Sequence, residues 1–125
     1  MFKCGKYPFY ECSSRGDKRF SAFFAFVKKY GNTIENLYQA AKVFDDGSSG
    51  LSWKQAKGRA PINYKECKEF YSHLWDTYIK ENPHLLPVLV EQSGLSDMFG
   101  KPGSVCQAGE LWRIRCAFIK GDFHV

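Results

Sequence analysis

The sequence predicts an α+β fold: one mostly helical domain over residues 1–125, with a few short strands near the chain ends. Three observations carry that expectation. Apolar residues recur at helical spacing from Ile34 to Ala41 and again from Cys67 to Tyr78. Asn82 and Pro83 end one helix and open the next. Short aromatic or alternating runs of strand length stand towards the two ends. At 125 residues, 44% of them hydrophobic and 17% aromatic, the chain can bury a real core and is far from a disordered composition.

Taken in order, "KYPFYEC" (Lys6–Cys12) reads as an extended edge, because Pro8 lacks the N–H that a central strand needs. "SSRGDKR" comes next, as a turn. "FSAFFAFVKKY" (Phe20–Tyr30) is apolar nearly throughout, so its period separates helix from buried strand poorly; strand is the expectation. A helix then starts at Asn32 or Thr33, either of which can cap it, and shows one apolar face of Ile34, Leu37, Tyr38 and Ala41. "DDGSSG" (Asp45–Gly50) ends it. A second short helical piece fits "LSWKQAKGRA", with Ser52 as its cap.

The strongest helix runs from Asn63 to Asn82, with Cys67, Phe70, Tyr71, Leu74 and Tyr78 as its apolar stripe and Trp75 beside it. After Pro83, the residues Leu85, Leu86, Leu89 and Val90 face inward until Gly94. "SGLSDMFGKPGSVCQAG" reads as a long irregular loop. "ELWRIRCAFI" alternates Trp112, Ile114, Cys116 and Phe118 with Arg113 and Arg115, which predicts a closing strand that pairs with the N-terminal one.

The formal charge of +5 favours encounter with an anionic partner, although the basic residues are scattered and a solvated surface explains them equally well. Five cysteines, an odd number with no C-x-x-C pair, argue against a disulfide framework and a zinc site. His73, His84 and His124 show no metal-ligand spacing. No metal or cofactor is implied. No apolar run approaches membrane-spanning length, so the expected setting is the reducing cytoplasm, with no membrane partner.

The most informative segment is "GNTIENLYQAAKVFDDG" (Gly31–Gly47). Glu35, Gln39 and Lys42 stand at i, i+4 and i+7, along one side of a helix and beside its apolar face. A Glu near a helix N-terminus has its anion favoured by the dipole, which suits a base or acceptor unless burial lifts its pKa. Gln39 can orient an amide or hydroxyl. Lys42 can meet a phosphate or attack an electrophilic carbon. An ordinary amphipathic helix explains the same spacing. "FGKPGS" (Phe99–Ser104) sets glycines about a Lys, where backbone N–H groups can hold a phosphate or simply form a loop. Arg15, Lys18 and Arg19 around Asp17 can bind an anion or form surface pairs.

Together, "SSRGDKRFSAFFAFVKKYGNTIENLYQAAKVF", "SHLWDTYIKENPHLLPVLVEQSG" and "DMFGKPGSVCQAGELWRIR" resemble the NADAR, or YbiA-like, family. "FSAF" (Phe20–Phe23) stands where that family carries a "GDFSNF"-type segment. "TIENLYQAAKVF" (Thr33–Phe44) matches its "(S/T)xEHxxQAxKF" helix. The second segment resembles its "NPxLxxxLLxTG" helix. The third falls where the family has a Trp-Gly-rich loop and its last element. The resemblance implies an N-glycosidase-like fold acting on ADP-ribosyl or other ribosylated compounds, ADP-ribosylated guanine among them.

By position, the resemblance implies catalytic roles for Glu35 and Lys42 and substrate-binding roles for Ser21, Arg19, Gln39, Phe99, Gly100 and Lys101. The sequence departs from the pattern at Asn36, in place of a His, and at Ala22, in place of an Asn. Phe99-Gly100-Lys101 replaces Trp-Gly-Asp and so lacks a carboxylate. Cleaving a ribosyl–nitrogen bond needs a group that stabilises positive charge on the sugar and a base for water. Glu35 fits either role, and Lys42 attacking an open-chain ribose aldehyde is the alternative.

The expected activity is therefore hydrolysis of an N-glycosidic bond, with a phosphorylated ribosyl small molecule or an ADP-ribosylated nucleic acid as partner. A non-catalytic nucleotide or nucleic-acid binder and a small protein-interaction or inhibitor module are the alternatives. The aromatics suit stacking on a base in the first two readings and anchoring a partner in the third.

Overall fold

Helix α3 (Tyr64–Glu81) runs through the core and packs against helices on two sides. The computed structural model describes residues 2–4, 9–100 and 104–125, with Cys4 described by its backbone alone. The expected fold class is the one observed: an α+β domain, 47% helix against 11% strand. The apolar stripe of α3 buries the expected Cys67, Tyr71, Leu74, Trp75 and Tyr78, leaves the expected Phe70 half-buried and adds Ile79. One side of it meets α1 (Ile34–Ala40) and the other meets α5 (Gln107–Lys120).

Short helices complete the set. Thr33 caps α1, its Oγ1 accepting from the Asn36 N–H at 3.3 Å. The helix ends earlier than expected, at Ala40, so Lys42 and Phe44 lie beyond it. Ser52 caps α2 (Trp53–Ala56) in a full capping box with Gln55. Pro83 opens a 3₁₀ turn over Pro83–Leu85 that leads into α4 (Leu86–Glu91), which buries Leu86 and Leu89 against α5.

A three-stranded parallel sheet packs on α5. Its order is β1 (Phe2–Cys4), β5 (Leu95–Asp97), β2 (Tyr10–Glu11), with Leu95 in register with both Phe2 and Tyr10. β3 (Phe26–Val27) and β4 (Asn32–Thr33) form a separate antiparallel pair against α3.

The structure corrects three expectations. "ELWRIRCAFI" is not a strand but part of α5, and the N-terminal strand pairs with β5 instead. The two-residue alternation coincided with a helical stripe: Ala108, Leu111 and Ile114 are buried at spacings of three, and Gly121, at φ 85°, stops the helix. The arginines suit that helix. Arg113 pairs with Asp76 of α3 at 2.7 Å, and Arg115 donates to the Leu89 and Val90 carbonyls at the end of α4.

Second, Phe20–Tyr30 contributes only β3. Its N-terminal part coils through turns in which the Ser21 carbonyl accepts from the N–H groups of Phe24 and Ala25. The small residues Ala22 and Ala25 are buried there while Phe23, Phe24 and Phe26 are exposed, the reverse of what size implies. Third, the expected loop after Ser93 contains the central strand β5 and the start of α5. Ser96 and Asp97 hid that strand, because they are polar residues in its buried row.

Glu11 ties the sheet to the chain on the far side of β5. Its carboxylate accepts from Ser96 Oγ at 2.8 Å, the Met98 N–H at 2.9 Å and the Ser13 N–H at 3.2 Å. Burial works against its charge, but these bonds prevail and lower its pKa. Nearby, Asp17 caps the 3₁₀ turn Lys18–Phe20, pairs with Arg19 at 2.6 Å and accepts from the Tyr10 hydroxyl.

Two outcomes test this frame. Glu11→Ala orphans three donors and should cost about 1–3 kcal/mol in chemical denaturation. The Arg19 bond, opposed by burial and aided by Tyr10, holds the Asp17 pKa down to about 2. A depressed carboxylate stabilises the fold above its unfolded pKa and loses that contribution as pH falls through the folded one. Unfolding free energy should therefore drop between about pH 4 and pH 2, and Asp17→Asn should flatten the slope in acid titration.

Candidate functional site

A cavity of about 390 Å³ opens between α1, the Ala22–Phe23 turn and the chain beyond β5, and its lining includes Glu35, Gln39, Tyr38, Tyr71, Asp97 and Phe99. Each side of it has a local cause. The first turn of α1 carries Glu35, whose backbone N–H donates to the Ala22 carbonyl at 2.9 Å. One turn later Gln39 donates through Nε2 to Glu35 Oε1 at 2.8 Å, the contact that i, i+4 spacing allows. Tyr38 packs edge-on against Tyr71 of α3, with centroids 5.1 Å apart, and closes the aromatic wall.

Opposite, β5 ends at Asp97, and the Phe99 N–H donates to Asp97 Oδ1 at 3.0 Å. That Asx turn swings Phe99 over the rim. Gln107, the first residue of α5, accepts the Ala22 N–H at 2.6 Å and so ties the mouth to the core. Phe23 and Trp53 meet edge-to-face at the rim, and Lys57 completes it with its ammonium 5.6 Å from the Trp53 ring centre.

Both carboxyl groups have raised pKa values. For Glu35 burial is the main cause; the Gln39 bond and the charges of Lys42 and Lys57 oppose it, and Asp97 adds to it. For Asp97 burial again leads; the Phe99 N–H opposes it and the Glu11 charge reinforces it. The dipole argument favoured a Glu35 anion, and desolvation outweighs it here. The Asp97 charge acts on Glu35, and coupling between two carboxyls in one cavity is reciprocal. Such a pair holds a proton to higher pH than free carboxylates do.

Gln39 Oε1 is buried in the wall of this cavity and has no hydrogen-bond partner in the protein. A buried amide oxygen left unpaired costs free energy that a ligand N–H or O–H recovers. The cavity thus combines flat apolar faces with oxygen acceptors, a fit for a ring bearing hydroxyl or amino donors.

The residues anticipated from sequence divide into groups. Glu35, Gln39 and Phe99 meet in this cavity. Lys42 does not line it; its Nζ donates to the carbonyls of Ala56 at 3.3 Å and Arg59 at 3.2 Å, and it borders a neighbouring cavity behind Tyr38. Ser21 is fully buried beneath the mouth, and its Oγ has no partner. Arg19 is engaged with Asp17, and the Gly100 N–H donates to the Asp97 carbonyl at 3.0 Å; neither residue lines either of these two cavities. Lys101 lies outside the described residues. Asp97 and Gln107 were not anticipated. The one sequence signal for Asp97 is its place two residues before an aromatic-Gly pair, the spacing of an Asx turn.

Among the described residues no group of His, Cys, Asp and Glu gathers at metal-binding distance, and no helix is long and apolar enough to cross a membrane. Cys12, Cys67 and Cys106 are buried as thiols.

A carboxyl whose pKa is raised on folding favours the folded state below its unfolded pKa, and that contribution is lost as pH rises through the folded one. Glu35→Gln removes the buried charge and keeps the shape. It should raise the melting temperature at pH 7, and the gain should shrink by pH 4, as read by calorimetry.

The chain matches no known family model, and a search of curated proteins finds no significant match.

Proposed function

We propose that the protein hydrolyses the N-glycosidic bond of a ribosylated nucleotide, with ADP-ribosylated guanine the leading substrate. The observation that supports this most is the presence of Glu35 and Asp97 in one aromatic-walled cavity, both held above the ordinary carboxylate range by burial. N-glycosidic cleavage passes through an oxocarbenium-like sugar. A carboxylate beside C1′ stabilises that charge, and a proton must reach the departing nitrogen.

Glu35 takes the role of the anion: burial raises its pKa, but Gln39 fixes its orientation and donates to it, and the Lys42 and Lys57 charges favour its ionised form. Asp97, buried and raised further by Glu11, is the proton carrier. In this scheme Glu35 faces the sugar carbon, Asp97 gives its proton to the leaving base, and water adds to C1′. The water's proton then restores Asp97. Gln39 Oε1 accepts from a ribose hydroxyl, which repairs its unpaired state. Tyr71 and Phe99 offer faces for the base. The resemblance to NADAR proteins at "TIENLYQAAKVF" points to the same chemistry, with Asp97 in the role that the Lys101 position leaves without a carboxylate.

A second reading, binding to nucleic acid without turnover, has an observation of its own. Phe23, Phe24 and Phe99 are exposed, Lys18 sits 5.0 Å from the Phe24 ring centre, and Lys54 sits 5.9 Å from that of Trp53. Bases stack on such rings while the ammonium groups meet phosphates. In that case log affinity falls steeply with log salt and no base is released.

The deciding assay is base release from ADP-ribosylated guanosine and from DNA carrying it. Glu35→Gln and Asp97→Asn should each lower kcat by roughly 100-fold or more, with KM little changed. A full rate in Glu35→Gln removes the reading.

A further inference from the structure

Glu35 and Asp97 share a cavity but have no cation beside them. Among the described residues neither forms an ion pair; the salt bridges belong to Asp17, Asp46, Asp76 and Glu110. Asp97 is buried and Glu35 partly so. The two lysines whose charges reach Glu35 are engaged elsewhere. Lys42 turns its ammonium to the Ala56 and Arg59 carbonyls, and Lys57 stands at the rim beside the Trp53 ring. A desolvated carboxylate without a partner is costly, so such a group either keeps its proton or takes a cation from outside.

Gln39 adds a third acceptor to the same wall. Its side chain is 5% exposed, its Nε2 is committed to Glu35, and its Oε1 has no partner. Acceptors from α1 and from β5 thus surround one hollow. What completes it is a positive group with N–H donors on more than one edge.

The shape of the hollow selects among cations. An ammonium is a compact, strongly hydrated point charge, which flat apolar walls desolvate at a loss. A guanidinium is planar and weakly hydrated, carries five N–H donors, and rests on aromatic rings while it pairs with carboxylates. Tyr38, Tyr71 and Phe99 supply the rings, and a volume of about 390 Å³ has room for the group with an alkyl stem. Two carboxylates and the Gln39 oxygen match its edges.

We propose that this cavity binds a guanidinium group, with Glu35 and Asp97 as its counter-ions and Gln39 Oε1 as its third acceptor. The group comes from an arginine side chain or from a small guanidino compound. This is a binding function in its own right and does not rest on the hydrolase reading: in hydrolysis Asp97 holds a proton, whereas a bound guanidinium leaves both carboxyls ionised. Besides that pair, Tyr38, Tyr71 and Lys57 are the titratable groups facing the cavity, and Glu11, Lys42 and Cys106 act on the pair from behind. Lys57 is the one cation at the mouth, and it opposes a cationic ligand.

Methylguanidine, methylammonium and methylurea test it, each titrated calorimetrically into the full native chain at low salt. Methylurea keeps the plane without the charge, and methylammonium keeps the charge without the plane. Methylguanidine should bind roughly tenfold or more tighter than either. Near pH 5, at about the upper edge of ordinary carboxylate titration, its binding should release protons, read as a heat that depends on the buffer. Glu35→Gln and Asp97→Asn should each weaken it by roughly tenfold. Lys57→Gln should tighten it a few-fold, the opposite of its effect on an anionic ligand. Circular dichroism establishes that each variant is folded. N-acetylarginine amide separates the sources: tighter binding than methylguanidine assigns an arginine side chain, and weaker binding assigns a small compound. No binding of methylguanidine, equal affinity for methylurea, or no gain in Lys57→Gln overturns the proposal. Methylguanidine binding without base release keeps this site and removes the hydrolase; base release without methylguanidine binding does the reverse.

Discussion

The Glu11 carboxylate and the three donors around it fix the geometry on which the site depends. β2 and β5 are two and three residues long, too short to hold register by backbone pairing alone. Glu11 adds a side-chain tie at Ser96 and another at the Met98 N–H, on either side of Asp97. Asp97 can therefore stand at the end of a strand and still face a cavity. Its own bond to Phe99 then sets the rim. The same negative charge raises the Asp97 pKa, so one residue both places the second carboxyl and tunes it.

The cavity is assembled against stability. Two carboxyl groups are partly desolvated together, and an amide oxygen beside them, Gln39 Oε1, is buried unpaired. Folding for its own sake gains nothing from these features, which is why their concentration around one hollow supports a functional reading. The core of α3 and α5 supplies the compensation: Leu74, Trp75, Leu111 and Ile114 are all fully buried. Tyr38 is a wall shared by two cavities, one lined by Glu35, Asp97 and Lys57 and the other by Lys42 and Arg59.

Legibility in the sequence tracked the length and purity of the local pattern. α3 could be read almost to the residue, because eighteen residues repeat one stripe between two asparagines. The Ser52 cap was legible too, and the α1 cap was narrowed to Asn32 or Thr33, of which Thr33 is the one used. α5 was misread because Trp112, Ile114, Cys116 and Phe118 satisfy a period of two, while the helical stripe of Ala108, Leu111 and Ile114 contains a small residue that carries little hydrophobic signal. β5 was hidden for a different reason: its side chains are buried by long-range bonds to Glu11, which no local window contains. In the site, the α1 half was visible as a row of polar side chains. Asp97 was not, since only the fold brings it to the cavity that Glu35 lines. Lys42 shared the row's spacing, yet the helix ends before it and its ammonium turns to the Ala56–Arg59 segment.

The proposed hydrolysis requires Glu35 and Asp97 to share one desolvated cavity. Carbon-detected NMR of the side-chain carboxyls, monitored against pH, measures this without any substrate. Both midpoints should lie above the ordinary carboxylate values, and replacing either residue by its amide should move the other's midpoint down. Two independent titrations at ordinary values, each indifferent to the other substitution, would contradict it.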